Sequence, residues 1–326
     1  MDGESPLTNQ PLWERLGVRR RILQAPIGSL ASLELAAAVS NAGGLGSLAL
    51  TWTDPEAAAA RVRALKQLTP HAFFVNFVLA FEPTSLPAVL EAGVPMVSFS
   101  WGRPGPLVGQ VHAAGALVAV QVATLSGAKA ALDAGCDLLI CQGLEAGGHV
   151  QSTTPLQDLI SPTVEIAGHV PVVAAGGLAI HDDVAHVIAL GASGAMLGTR
   201  FIASDECPAH AEYKRALLAA GDGQTALTNC FDGGWPYAQH RVLRNKTLID
   251  WESAGCPAHG GRPGEGEVIA TSKAGTPIHR YDDTPPHAAL SGDVLSCCLY
   301  AGAGVGKIAA VQPAAAIVES LWGSSR

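Results

Sequence analysis

The residues best suited to chemistry fall in one short run, Gln142-Gly143-Leu144-Glu145-Ala146-Gly147-Gly148-His149. Two adjacent glycines add no side-chain bulk, so a flat ligand can approach the backbone there, with an imidazole beside it. Near neutral pH a histidine takes a proton from an acidic C–H or donates a hydrogen bond to a developing anion. The opposing reading of His149, a loop histidine satisfied by its neighbours, stays open on one residue. Glu145 reads as structural, because an unpaired carboxylate would repel an anionic substrate. Before this run stands Asp137-Leu138-Leu139-Ile140, whose continuous apolar character suits an inner strand covered on both faces. A strand ending in a polar, glycine-rich loop is how α/β proteins present reactive groups.

Other candidates stand at similar strand ends. Gly176-Gly177 closes the apolar run 170–174, and Gly198-Thr199 closes 194–197. Converging backbone N–H groups and the Thr199 hydroxyl at two such turns would grip a phosphate; singly, each is an ordinary tight turn. Asn76 interrupts Phe73-Phe74-Val75-Asn76-Phe77. A buried amide must find partners, either neighbouring backbone or a ring with alternating donors and acceptors. Ala25-Pro26-Ile27 offers backbone groups to the same ring, and Gln142 follows the same logic as Asn76. Polar contacts at three strand ends plus a phosphate grip suit flavin mononucleotide (FMN) better than a nicotinamide dinucleotide, for which no G-x-G-x-x-G opens a helix. Gly302 to Lys307 only superficially resembles a phosphate loop, since Ile308 stands where Ser or Thr would bind a magnesium ion. No histidine pair has metal-ligand spacing, and His181 and His186 lie with Asp182 and Asp183 on a solvated helix face, so no metal site is expected.

The elements that must position these residues follow a strand-then-helix rhythm. Apolar cores at 22–25, 46–50, 72–77, 96–99, 117–122, 137–141, 170–174 and 194–197 make eight strand candidates. Between them lie Ala/Leu-rich segments such as 32–40, 54–68 and 126–134, with starts signalled by Asp54-Pro55-Glu56 and Ser126 and stops by Gly43, Gly93, Gly135 and Gly191. Eight parallel strands in succession favour a closed (β/α)₈ TIM barrel over an open doubly wound sheet. After Arg200 the rhythm fails: 206–248 has helical pieces, 255–292 is rich in Gly, Pro, His and charge, and 311–322 is a last helix. The expected division is a barrel of 1–205 and 293–326 with an inserted, smaller α+β or irregular cap, 206–292, over the mouth.

Composition bounds the class. The 326 residues are 48% hydrophobic and 15% charged, enough for a large core. A net charge of −8 without basic runs argues against nucleic acid or an anionic membrane as partner. The opening MDGESPLTNQ lacks the basic and apolar parts of a signal peptide, no uninterrupted apolar stretch suits a membrane span, and seven scattered cysteines form no C-x-x-C pair. A cytoplasmic, reducing location is expected.

QAPIG (Gln24 to Gly28), SNAGGLGSL (Ser40 to Leu48), FVNF (Phe74 to Phe77), QGLEAGGH (Gln142 to His149), AAGGLA (Ala174 to Ala179) and GAMLGTRF (Gly194 to Phe201) together resemble the nitronate monooxygenase family, formerly 2-nitropropane dioxygenase. RVLRNK (Arg241 to Lys246) and LYAGAGVGKI (Leu299 to Ile308) extend the likeness almost end to end. The resemblance implies an FMN-binding barrel that oxidises alkyl nitronates with O₂ to a carbonyl compound and nitrite. It implies His149 as catalytic base or hydrogen-bond partner of the nitro group. It also implies FMN contacts from Ala25, Pro26, Asn76, Gln142, Gly147, Gly148, Gly176, Gly177, Gly198 and Thr199, beside the Ile27 already named. Gln151 and Gly302-Ala303 depart from the usual pattern, the latter in a loop expected to line the pocket. An FMN-dependent enoyl-thioester reductase using NAD(P)H shares AGGLG and EAGGH patterns, and a non-catalytic flavin-binding partner is a third reading. The oligomeric state is open.

Overall fold

A computed structural model describes residues 11–233 and 235–323; the opening decapeptide discussed above lies outside them. Strands β1 (Ile22–Gln24), β2 (Gly46–Ala49), β3 (Phe73–Val78), β4 (Met96–Ser100), β5 (Leu117–Val122) and β6 (Leu138–Gln142) come first. A two-residue β7 (Gly148–His149) precedes β8 (Val172–Ala175) and β9 (Gly194–Leu197). Eight of these pair in parallel in the order β1-β9-β8-β6-β5-β4-β3-β2. The ring closes where Leu23 bridges Leu45, with Gln24 N–H on Leu45 O at 3.0 Å and Leu45 N–H on Ile22 O at 3.0 Å. This is the expected TIM-type barrel, and its strands match the eight apolar cores within about two residues.

The strands read as unbroken apolar runs because both faces are buried. Phe73, Val75 and Phe77 of β3 pack outward under the helices, while Phe74 points inward with Leu23, Met96, Leu117 and Leu138. These inward residues stand near the strands' amino ends, and Leu12, Trp13 and Leu16 of the first helix plug them from below. Farther along the strands the inner wall shrinks to Ala25, Asn76, Gln142 and Ala175. Large side chains below and small ones above leave the core dry and the carboxyl end hollow.

Helices follow the sequence signals closely. Ser32 and Asp54 cap Leu33–Asn41 and Pro55–Leu68 by accepting from Leu35 N and Ala57 N. Gly43, Gly93, Gly135 and Gly191 all take positive φ after a helix. The start expected at Ser126 moves back: Thr124 is the cap of Leu125–Asp133, accepting from Gly127 N. Gly46 is required by contact, since a Cβ there would meet Ala36 O at 2.0 Å.

Past β9 the chain is more regular than its composition suggests. Strands β10 (Thr225–Thr228) and β11 (His240–Leu243) pair with β7 in one small antiparallel sheet. The stretch 255–292, read as irregular, holds a second one made of β12 (Val268–Ser272), β13 (Pro277–His279) and β14 (Leu290–Gly292). Partners supplied from outside each segment, not local periodicity, make these strands. The last helix is Ala314–Trp322, shorter than expected because Pro313 sets its start. Among the described residues no helix is long and apolar enough to cross a membrane.

Candidate active site

A cavity of about 620 Å³ opens at the carboxyl ends of the barrel strands. Its lining includes every residue singled out from the sequence: Ala25, Pro26, Ile27, Asn76, Gln142, Gly147, Gly148, His149, Gly176, Gly177, Gly198 and Thr199. That size suits a cofactor or drug-sized ligand.

His149 is placed by pairing. It sits on β7 opposite His240 of β11, and Val150 N–H binds Gln239 O at 2.8 Å. Gln142 secures the same loop from the barrel side, accepting from Gln151 N at 2.9 Å and donating to His149 O at 3.3 Å. Both ends of that amide are therefore engaged, unlike the free contact expected from the sequence. Glu145 is structural, as expected: it accepts from Leu156 N at 3.0 Å at the start of the helix Leu156–Ala167. Arg241 donates to Leu144 O at 2.9 Å and holds the loop's other side.

The imidazole of His149 stands among rings: Trp235 at 4.7 Å, His240 and Tyr300 at 5.6 Å, and Trp101 at 6.3 Å between centroids. Desolvation, then the neighbouring His240, lowers its pKa from 6.5 to about 3. His240 is itself neutral and fixed: Nδ1 donates to Ala238 O at 3.1 Å, and Nε2 accepts from Phe231 N at 3.2 Å. Burial pushes its pKa down as well. His149 is thus an uncharged N–H donor at the wall of the cavity.

The two glycine turns behave as a donor cradle. Among the described residues, the N–H groups of Gly176, Gly177, Leu178, Gly198 and Thr199 donate to no protein acceptor. Thr199 Oγ accepts from Gly302 N at 2.9 Å, which leaves its proton free to donate. Backbone N–H groups left open beside a cavity are what a phosphate oxygen requires. Gly302 to Gly306 brace these turns: a Cβ on Gly304 would meet Gly177 O at 2.0 Å, and one on Gly147 would meet Gly302 N at 2.4 Å. The late glycine run, rejected as a phosphate loop, serves close backbone packing.

The Asn76 side chain donates to Ser98 Oγ at 2.8 Å and Ser98 O at 3.3 Å, and among the described residues its Oδ1 accepts nothing. Ala25 has less to offer than expected, because its N–H binds Leu197 O at 2.9 Å and its carbonyl takes Gln24 Nε2 at 2.7 Å. That leaves the Pro26 carbonyl and Ile27 N–H as the open groups of the stretch. In the ring order β4 is four places from β9, and β3 four places from β8. The donor turns and Asn76 therefore face each other across the mouth.

Several lining residues were not among the expected contacts, although Tyr300 lies in the quoted run Leu299 to Ile308. Trp52 follows β2, Phe81 follows β3, Trp101 follows β4, and Gly233, Trp235, Asp283 and Tyr300 arrive from beyond β9. Trp101 has φ +56°, which a bulky residue rarely adopts, and that backbone turn carries its ring against Trp235. Aromatic residues directly after strands two and four were the available clue for Trp52 and Trp101. Nothing local marks the others.

The family pattern described as nitronate monooxygenase matches residues 9–89 and 82–323. A nitronate monooxygenase of Pseudomonas aeruginosa is 32% identical over 290 residues, covering 74% of this chain and 82% of its own. A hydroxy-methyl-oxo-octahydroindene-carboxyl-CoA dehydrogenase of Mycobacterium tuberculosis is 32% identical over 246 residues, covering 74% of this chain and 68% of its own. The solved nitroalkane oxidase of Streptomyces ansochromogenes superposes with a TM-score of 0.78 at 29% identity, covering 96% of each chain.

Proposed function

The chain belongs to the nitronate monooxygenase family and is an oxidoreductase, and on that premise we propose that it binds FMN and oxidises alkyl nitronates with O₂ to a carbonyl compound and nitrite. The observation that carries this proposal is the meeting, in one cavity, of unpaired N–H groups on two adjacent turns with a neutral imidazole. When bound, FMN supplies the electron-accepting ring that a side chain lacks. Gly176, Gly177, Gly198 and Thr199 would hold its phosphate. Asn76, the Pro26 carbonyl and Ile27 N–H would meet the polar edges of its ring system, and Gly147 and Gly148 would let it lie close to the backbone. Gln142 acts one step back, by fixing the His149 loop.

His149 is assigned here as hydrogen-bond donor to a nitro oxygen. An imidazole whose pKa has fallen to about 3 still donates through its N–H but is a poor proton acceptor. A nitronate has already lost its α-proton and needs no base. The aromatic rings around His149 keep water from that donor, so the hydrogen bond acts in a low-dielectric setting. The proposed division of the chain keeps 1–205 and 293–326 as barrel and 206–292 as cap, the cap adding Gly233, Trp235 and Asp283 to the cavity wall.

Purified protein is expected to be yellow, to release FMN on denaturation, and to form nitrite and acetone in equal amounts from propane 2-nitronate in air. Absence of nitrite from a series of simple alkyl nitronates would overturn the proposal. The carboxyl-CoA dehydrogenase relative favours a second reading, hydride exchange between NAD(P)H and a thioester substrate through the same flavin. Rapid NADH oxidation without nitrite formation would establish that alternative.

A further inference from the structure

Only one sign of charge lines the cavity. Among the described residues neither Lys nor Arg lines it, whereas Asp283 does. Among the described residues the Asp283 carboxylate pairs with no other side chain; Gly233 lies against it, and a Cβ added there would come within 3.4 Å of Oδ1. Asp282 and Asp232 add charge of the same sign nearby. Arg262 is spent on Asp232 at 2.6 Å and on Glu265 at 2.6 Å.

The same cavity has an aromatic wall. Three of the chain's six tryptophans are there, Trp52, Trp101 and Trp235. Trp52 contacts Phe81 at 5.2 Å, Phe81 contacts Trp235 at 5.4 Å, and Trp235 contacts Trp101 at 4.5 Å, all edge-on. The arc runs from Trp52, 65% exposed, inward to His149. Such an arc offers flat apolar surface and edge-to-face contacts to an incoming ring. A pocket selects both by what it attracts and by the unpaired charge it sets against the wrong ligand.

Resting on the nitronate reading, we propose that the substrate carries a flat aromatic or apolar substituent without negative charge, and that Asp283 rejects nitronates bearing a second anionic group. The nitronate charge is common to both kinds of substrate and cancels in the comparison, so the discrimination falls on the substituent. Carboxylate-tailed nitronates are then poor substrates of this chain, and aryl-substituted ones good.

Binding tests this apart from turnover. Tryptophan fluorescence of the FMN-loaded protein, titrated at about pH 8 with 4-nitrotoluene and with 4-nitrobenzoate, is expected to show the neutral ligand bound at least about ten-fold more tightly. Asp283→Asn narrows that ratio by improving the affinity for 4-nitrobenzoate while leaving 4-nitrotoluene almost unchanged. Equal affinities in the natural protein, or an unchanged ratio in the variant, would overturn the proposal; the first result needs no variant to fold. In turnover, the nitronate of phenylnitromethane should exceed propionate 3-nitronate in kcat/KM by a similar factor. Selective binding with no nitrite from either nitronate would support the charge filter and sink the proposed reaction. Nitrite from both without preference would do the reverse.

Discussion

Whether His149 removes a proton or only donates one is decided by its surroundings, and the difference is measurable. Burial among the rings and the neighbouring His240 bring its pKa from 6.5 to about 3. A change of that size disfavours the imidazolium by about 5 kcal/mol. With about half of this felt in a proton-transfer transition state, removal of an α-proton slows by roughly 50-fold relative to an ordinary histidine. The neutral nitroalkane, which must lose that proton first, should therefore react more slowly than its nitronate in kcat/KM. The nitronate profile should show no limb from His149 near pH 6.5, because a group with a pKa of about 3 is neutral throughout the neutral range; a limb near pH 6 that persists in His149→Asn belongs to Asp283. Loss of the donor in His149→Phe should cost roughly 10- to 100-fold on the nitronate, whereas His149→Asn, which keeps an N–H, should retain most of the activity. The assay is initial-rate nitrite release from paired nitroalkane and nitronate across pH, with the Asn variant as control for titration of the substrate. A limb near pH 6.5 that vanishes in His149→Asn, or a loss confined to the neutral substrate, would refute the donor assignment and restore the base.

Further outcomes follow from the same geometry. Asn76→Ala removes the amide whose carbonyl oxygen faces the cavity and frees Ser98 Oγ, so FMN affinity should fall about ten-fold or more, read by equilibrium dialysis, with a small loss of thermal stability. Asp283 has a pKa raised from 3.8 to about 6, chiefly by burial. A raised carboxyl stabilises the fold fully below about pH 4, and that contribution is lost as pH rises through 6. Asp283→Asn should thus raise stability at about pH 8 by about 2 kcal/mol, after discounting for partial exposure, and change it little at about pH 4. Denaturant melts at the two pH values check this, and a variant less stable at the higher pH would contradict it.

The barrel was legible because its signals are local and redundant. Phe73 to Phe77 is apolar on both faces, Asp54 and Ser32 cap their helices directly, and Gly43, Gly93 and Gly135 each end a helix in the left-handed region. The two glycine turns and His149 could be picked out for the same reason: each lies within a few residues of a strand end. The cap was not. β7 is two residues long and exists only because β11 arrives from far along the chain to pair with it. Thr225–Thr228 and Val268–Ser272 have mixed burial and no clean alternation, so their strand character comes from their partners. Trp101 owes its place to a positive φ that its residue type disfavours, and Asp283 reaches the cavity from beyond β9 with no local signal. The loop contacts of Gln142 were not legible, since a strand-end amide looks the same whether it serves a ligand or the loop beside it.

The most direct test is the visible spectrum of the purified protein under anaerobic conditions as a nitronate is added. The account predicts a bound FMN whose yellow colour bleaches on adding the nitronate and returns, with nitrite released, when air is admitted. A colourless protein that takes up no FMN, or a bound flavin that NADH bleaches and nitronates leave untouched, would contradict it.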